Sequence, residues 1–237
     1  MKQIIAFFWV GSDVTIPSAL VDSIRLTMAD TVDIIQLTDK KTPLVPHCDK
    51  AQRFTLSKQI MIARLQAYSK YNFTSGLTFF CDADCIFINP LNVNLYSDRI
   101  LLTPRLEDFL INDKYPEFYP EFTGKTINQV MPFLFSAIAT IGNQSKTFDR
   151  LLKICKALPE RFHRWYGDQY SLFLAAHNKE MNFGYLEPAK HHHVTKETIT
   201  NEHLRQLKDE GVQMIHFKGS RSKQHLFSTL ENLKSLK

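Results

Sequence analysis

Residues 4–10 are a continuous apolar run, the pattern of a strand covered on both faces. The run stops at Gly11-Ser12-Asp13, and Ile16-Pro17-Ser18 then opens a segment with apolar residues at Leu20, Val21, Ile24, Leu26 and Met28. That spacing predicts an amphipathic helix reaching about Ala29. Residues 32–39 read as a second strand ending in Asp39. Strand, helix and strand in so short a span make a βαβ unit, whose crossover is right-handed and whose sheet is parallel.

The chemistry gathers at Thr78-Phe79-Phe80-Cys81-Asp82-Ala83-Asp84-Cys85-Ile86-Phe87, followed by Asn89-Pro90-Leu91. An apolar strand ends at two carboxylates one residue apart, and a second apolar run leads into a turn. Like charges that close raise each other's pKa unless something positive lies between them. A hard divalent cation is the natural neutraliser, and Mg2+ or Mn2+ keeps coordination sites for substrate phosphates. The bland alternative is a solvated strand-end turn in which both aspartates cap backbone amides.

The rest of the chain alternates in the same way. Residues 56–71 predict a helix carrying Lys58 and Arg64, and residues 100–103 and 133–141 predict strands. Segment 105–132, rich in Pro, Tyr and Phe, reads as an irregular excursion or lid, with Tyr115, Phe118, Tyr119 and Phe122 either an aromatic acceptor platform or a pin to the core. Helices are expected at 146–158, 170–176 and 196–210, and a short strand at 214–217. The triplet His191-His192-His193 reads as an exposed loop rather than a metal site. The tail, 226–236, reads as a terminal helix packed on the sheet, with peripheral contact to anionic lipid as the alternative.

Composition narrows the classes. A hydrophobic content of 44% and 12% aromatics exclude disorder as the main state. The net charge of +5 suits anionic small molecules and does not by itself point to nucleic acid. No apolar run reaches the roughly 18 residues of a membrane span, and the N-terminal run is too short for a signal segment. The four cysteines (Cys48, Cys81, Cys85 and Cys155) lack metal-binding spacing and read as free thiols of a reducing compartment. The expectation is a cytoplasmic protein.

In open parallel sheets, ligands bind beyond the carboxyl ends of the strands. The polar groups at such ends are Gly11 to Asp13, Thr38-Asp39, Asp82 to Asp84, and His216-Phe217-Lys218-Gly219. The first two groups suit a nucleotide, with its phosphates near the metal. His216 is a third candidate ligand, since imidazole serves manganese well. Lys218, Arg221 and Lys223 are the cations at hand for a diphosphate.

These residues carry a resemblance. Ala63-Arg64-Leu65, Phe80-Cys81-Asp82-Ala83-Asp84 with Asn89-Pro90-Leu91, Gly167-Asp168-Gln169, and Ile215-His216-Phe217-Lys218-Gly219 stand in the order of landmarks found in GT-A nucleotide-sugar glycosyltransferases. The chain most resembles glycosyltransferase family 8, the retaining group of glycogenin and the bacterial lipopolysaccharide galactosyltransferases. It departs in reading Ser220-Arg221-Ser222-Lys223 where the family has Lys-Pro-Trp. It also has Met131 to Ala137 where the family often has Asn-Ser/Ala-Gly.

The resemblance implies an α/β fold, a single Rossmann-like GT-A domain over 1–237 with a mostly parallel central sheet flanked by helices. Residues 1–90 would bind the nucleotide and 91–237 the acceptor. Asp82, Asp84 and His216 would bind Mn2+ or Mg2+. Trp9, Val10 and Gly11, with Thr38 and Asp39, would hold the base, and Ala83 the ribose. Lys218, Gly219 and Lys223 would meet the diphosphate of a UDP-sugar donor. Arg64 would anchor sugar or phosphate, Asp168 the sugar hydroxyls, and Gln169 would face the anomeric carbon and a glycan, glycolipid or glycoprotein acceptor. Asp168 would equally serve as an N-cap of its helix.

Two other classes compete. A sugar nucleotidyltransferase would want a glycine-rich loop after the first strand, and only Gly11 is there. A non-catalytic sugar-nucleotide or glycan-binding module would not need the full acidic and His set.

Overall fold

In the computed structural model, which describes residues 2–93, 100–111, 120–178 and 181–236, the first βαβ unit forms as β1 (Gln3–Phe8), α1 (Thr15–Met28) and β2 (Val32–Asp39). Ile5 and Phe7 pack with Leu20, Val21 and Ile24 of α1. Ile4, Ala6 and Phe8 pack on the opposite face with Met61, Ile62 and Leu65. Side chains alternate across a sheet, so burial on both faces accounts for the unbroken apolar run of β1.

The chain continues through β3 (Lys50–Phe54), α2 (Ile60–Ser69), β4 (Leu77–Cys81), β5 (Cys85–Phe87) and β6 (Ile100–Pro104). It then forms α3 (Ile127–Val130), β7 (Phe133–Ile141), α4 (Ser145–Ala157), α5 (Glu160–Arg164), α6 (Gly167–His177), β8 (Phe183–Tyr185), α7 (Pro188–His191) and β9 (His193–Thr195). It closes with α8 (Asn201–Asp209), β10 (Met214–Phe217) and α9 (Lys223–Ser235).

The central sheet has seven strands in the order β3-β2-β1-β4-β7-β6-β8. The pairs β3–β2, β2–β1, β1–β4 and β6–β8 are parallel, and β7 runs antiparallel to both neighbours. A three-stranded sheet, β5-β10-β9, lies beside it. In β10, Ile215 and Phe217 enter a core with Leu226 and Leu230 of α9. The intervening His216 therefore points the other way. The same core shows that the tail helix buries its leucines against β10, as the sequence favours.

Three local features differ from expectation. β3 is a half-buried edge strand, Lys50-Ala51-Gln52-Arg53-Phe54, so no apolar alternation announces it. The helices expected from 56 and 196 begin at Ile60 and Asn201, the second capped by the Thr200 hydroxyl accepting from the His203 amide. The described residues of segment 105–132 share a core with α5, in which Phe122 packs with Ile111, Ile127, Val130 and Phe162. Phe122 is thus a pin, while Tyr115, Phe118 and Tyr119 lie outside the described residues.

The register between β6 and β7 shifts at Leu102/Thr103, where Leu102 pairs with Ile138 and Thr103 with Leu134. Bulges of this kind re-aim side chains beside functional sites. Ser136 lies within the bulged stretch.

Candidate active site

At the carboxyl end of β4 the chain leaves the central sheet. The Asp82 amide donates to the Ser136 carbonyl at 3.1 Å, and after one turn β5 joins the second sheet, with Cys85 registered against His216. His216 Nε2 stands 3.2 Å from Asp84 Oδ1 and 3.9 Å from Asp82 Oδ2. Lys223, the first residue of α9, places Nζ 3.5 Å from Asp84 Oδ2. On the other side, Arg64 of α2 donates from Nη1 to Asp82 Oδ1 at 2.7 Å, and from Nη2 to the Asp168 carboxylate. Its guanidinium lies over the Phe135 ring, 4.8 Å from the centroid.

The charges set one another. Burial pushes Asp84 up, but His216 and Lys223 outweigh it and hold the carboxyl down at about 2. Burial, with Asp84 and Asp168 adding to it, raises Asp82 despite Arg64 and His216. Burial alone would lower His216, and the two aspartates reverse that.

Two of the expected ligands, Asp84 and His216, meet in one cluster. Asp82 stands 3.9 Å from the imidazole with its other oxygen held by Arg64, and it remains 27% exposed. Carboxylates and an imidazole suit a hard divalent cation. The Cys85 thiol shares the cluster, its sulfur within 4.8 Å of the ligand atoms of Asp84 and His216. Burial pushes that thiol well above its ordinary range. A protonated, soft sulfur is the poorest of these donors for Mg2+ or Mn2+.

The cluster forms one end of a cavity of 520 Å³, inside the size range of ligand pockets. Trp9, Val10, Arg64, Ala83, Gln169, Lys218, Gly219 and Lys223 all line it, with Asp82, Asp84 and His216. Four candidates do not. Thr38 is buried and donates to the Trp9 carbonyl at 2.6 Å, while the Asp39 carboxylate accepts from the amides of Lys41 and Thr42. The Gly11 amide donates to the Thr42 hydroxyl at 2.9 Å. These three shape the rim behind Trp9. Asp168 is fully buried behind Arg64.

Asp168 does not cap α6. The N-cap is Tyr166, a non-glycine residue in the left-handed region (φ 63°). Gly167 follows because a Cβ there would strike the Phe162 carbonyl and lie 2.9 Å from Cys155 Sγ. Asp168 sits in the first turn, accepting from the Gln169 amide at 2.7 Å, where a negative charge complements the helix dipole.

The His191–His193 triplet is not an exposed loop. His191 and His192 are each 4% exposed, because α7 and the parallel pairing of β9 with β10 fold them against the second sheet. His191 bonds the carbonyls of Glu187 and Asn92. His192 enters the cavity, with Nε2 2.6 Å from Ser136 Oγ and 2.8 Å from His216 Nδ1. Burial, with His216, Lys218 and Arg105 adding to it, pushes His192 well below the ordinary range and keeps it neutral. Ser136, His192 and Arg105 are the site residues that sequence reasoning missed. Proline at the start of α7 and the polar Ser136 within an apolar strand were the available signals.

No protein-family model matches the chain, and a search of curated proteins finds no match. Solved structures do. The apo form of the glycosyltransferase GlyE of Streptococcus pneumoniae TIGR4 superposes with a TM-score of 0.61 at 11% identity, over 99% of this chain and 63% of that one. The bifunctional glycosyltransferase WbbM gives 0.57 at 14%, over 98% of this chain and 49% of its own. The galactosyltransferase LgtC, solved with donor and acceptor sugar analogs, gives 0.56 at 13%, over 98% and 96%. The chain has the GT-A fold of these glycosyltransferases. It spans less than two thirds of GlyE and of WbbM.

Proposed function

We propose that the chain is a metal-dependent glycosyltransferase that moves a sugar from a nucleotide diphosphate sugar, read as a UDP-sugar, to a glycan or glycoconjugate acceptor with retention of configuration. The observation that carries this is the meeting of Asp84 with His216, and Asp82 3.9 Å from the same imidazole, at the wall of a 520 Å³ cavity where the parallel strands end. LgtC, solved with donor and acceptor sugar analogs, supports the reading by its shared fold.

Asp82, Asp84 and His216 would hold Mn2+ or Mg2+, which when bound supplies charge neutralisation and Lewis-acid polarisation to a diphosphate. The chain's own residues do the rest. Trp9, Val10 and Ala83 give the nucleoside an apolar wall. Lys218 and Lys223 bring positive charge to the leaving diphosphate. Arg64, held between two carboxylates and a ring, fixes Asp82 and Asp168 relative to each other. Gln169 stands where sugar and acceptor meet, and orientation there lowers the barrier. Among the described residues the cavity wall carries no carboxylate besides Asp82 and Asp84, so attack on the donor's front face, assisted by the departing phosphate, is the route proposed.

Residues 1–90 are assigned to the nucleotide and 91–237 to the acceptor. No helix among the described residues is long and apolar enough to cross a membrane, and the four unpaired cysteines favour a reducing compartment such as the cytoplasm. The test is Mn2+-dependent hydrolysis of a panel of nucleotide sugars by the wild-type chain and by Asp84→Asn. Turnover of one donor that the substitution abolishes is expected. Turnover that survives it removes the metal role, and donor binding without turnover reassigns the chain as a binding module.

A further inference from the structure

Arg105 reaches the site from the end of β6. It is 7% exposed, and its Nε donates to the Met131 carbonyl at 3.1 Å while its own amide donates to the Pro132 carbonyl at 2.7 Å. A planar guanidinium held in this way is a rigid fork. Its Nη2 lies 2.6 Å from the Gln169 side chain. Which way a glutamine amide points is ordinarily ambiguous. Here the partner decides it: arginine has donors only, so the atom it meets is Oε1. Gln169 is doubly fixed, because its backbone amide is held by Asp168 at 2.7 Å.

Two cavities flank this contact. Gln169 lines the 520 Å³ cavity, while Arg105 lines a smaller one of 260 Å³ that shares Leu134, His192 and Lys218 with it. With the oxygen drawn toward Arg105, the NH2 is the end that the amide offers to the larger cavity. We propose that Arg105 is a positioning residue that fixes Gln169 as a hydrogen-bond donor, so that its NH2 meets an oxygen of the bound donor, a sugar hydroxyl or the glycosidic oxygen. The carbonyl oxygen of Gln169 is then not the group presented to the anomeric carbon. The ligand half of this assignment rests on the proposed transferase reading; the pinning of the amide does not.

The test uses the full chain as wild type, Arg105→Met, Arg105→Lys and Gln169→Glu. In spectra of protein labelled with 15N-glutamine, the side-chain NH2 pair of Gln169 is identified by its loss in Gln169→Glu. That pair is expected to move in Arg105→Met and to stay close to its place in Arg105→Lys. A pair unmoved in Arg105→Met overturns the role of Arg105, whatever the chain binds. Affinities are then measured with Mn2+ for UDP, UDP-glucose and UDP-galactose. In Arg105→Met and Gln169→Glu the sugar nucleotide that the wild type binds is expected to weaken about tenfold, the scale of one lost hydrogen bond, and UDP by less than about twofold. Arg105→Lys is expected to recover most of the loss. Equal weakening of UDP and the sugar nucleotide makes Arg105 a structural residue and overturns the proposal. A wild-type chain that binds none of the three ligands sinks the donor reading and the ligand half with it, and the NMR result still decides the pinning.

Discussion

His192 and His216 meet through their ring nitrogens, Nε2 of the first 2.8 Å from Nδ1 of the second, with ring centroids 4.8 Å apart. His216 turns its other nitrogen to Asp84. The contact with His192 therefore fixes the ring whose far edge faces the carboxylates, the arrangement that orients histidine ligands in metal sites.

Replacing His192 is accordingly expected to weaken Mn2+ binding without removing a ligand. His192→Ala should lose about 10- to 100-fold in affinity, and His192→Gln, which keeps an acceptor, should lose less. Electron paramagnetic resonance titration of Mn2+ in the absence of nucleotide measures both. Unchanged affinity in His192→Ala would mean that the two rings merely pack.

Arg64 is expected to matter for stability as well as for the site. Asp168 is fully buried and has Arg64 as its ion-pair partner, so Arg64→Met leaves an uncompensated charge in the interior. A loss of about 3–5 kcal/mol is expected in urea unfolding. Adding Asp168→Asn to Arg64→Met should return part of it, since the double variant no longer strands a carboxylate.

Gly167→Ala is expected to cost about 1–3 kcal/mol by overpacking, because the added methyl meets the Phe162 backbone carbonyl and Cys155 Sγ rather than a flexible side-chain end. Relief of the clash pushes the start of α6 outward, so donor affinity should fall together with melting temperature. Ser171→Ala, one turn further along α6, removes a hydroxyl that bonds the Gly167 carbonyl at 2.6 Å and should affect melting alone.

One pH effect lies far from the site. Burial raises the Asp49 carboxyl, but the Ile34 amide and the Arg25 guanidinium more than offset it, so the folded value lies below the ordinary one. A depressed carboxyl stabilises above its unfolded pKa, near 3.9, and that contribution is lost as pH falls through the lower folded value. The side chain is 43% exposed, which limits the effect to about 1 kcal/mol or less. Asp49→Asn should melt lower than wild type at pH 7, and the gap should close only below about pH 4.

The acidic pair and the C-terminal histidine were legible as candidates because carboxylates and an imidazole at strand ends declare their chemistry, and the arginine on α2 only through the family resemblance; the structure lines one cavity with all four. The parallel half of the sheet was legible because β1 and β2 are buried on both faces and carry that burial in their composition. His192 was not. Three histidines in a row look alike in sequence, and only the folding of α7 and β9 against β10, set by residues far along the chain, decides which of them enters the cavity. Arg105 and Ser136 were hidden for a related reason: one leaves β6 and the other sits in the β7 bulge, and a register shift leaves no trace in composition. β3 was missed because its contribution is backbone pairing along an edge.

The pairing of β5 with β10 ties two strands made at very different times during synthesis. Asp82 and Asp84 emerge early, yet the imidazole that completes their cluster arrives only after nearly the whole sheet has been laid down. A half-made chain therefore carries two acids at a strand end without the imidazole. Under the proposed metal reading, capture of the ion is a late event that waits for both sheets to dock.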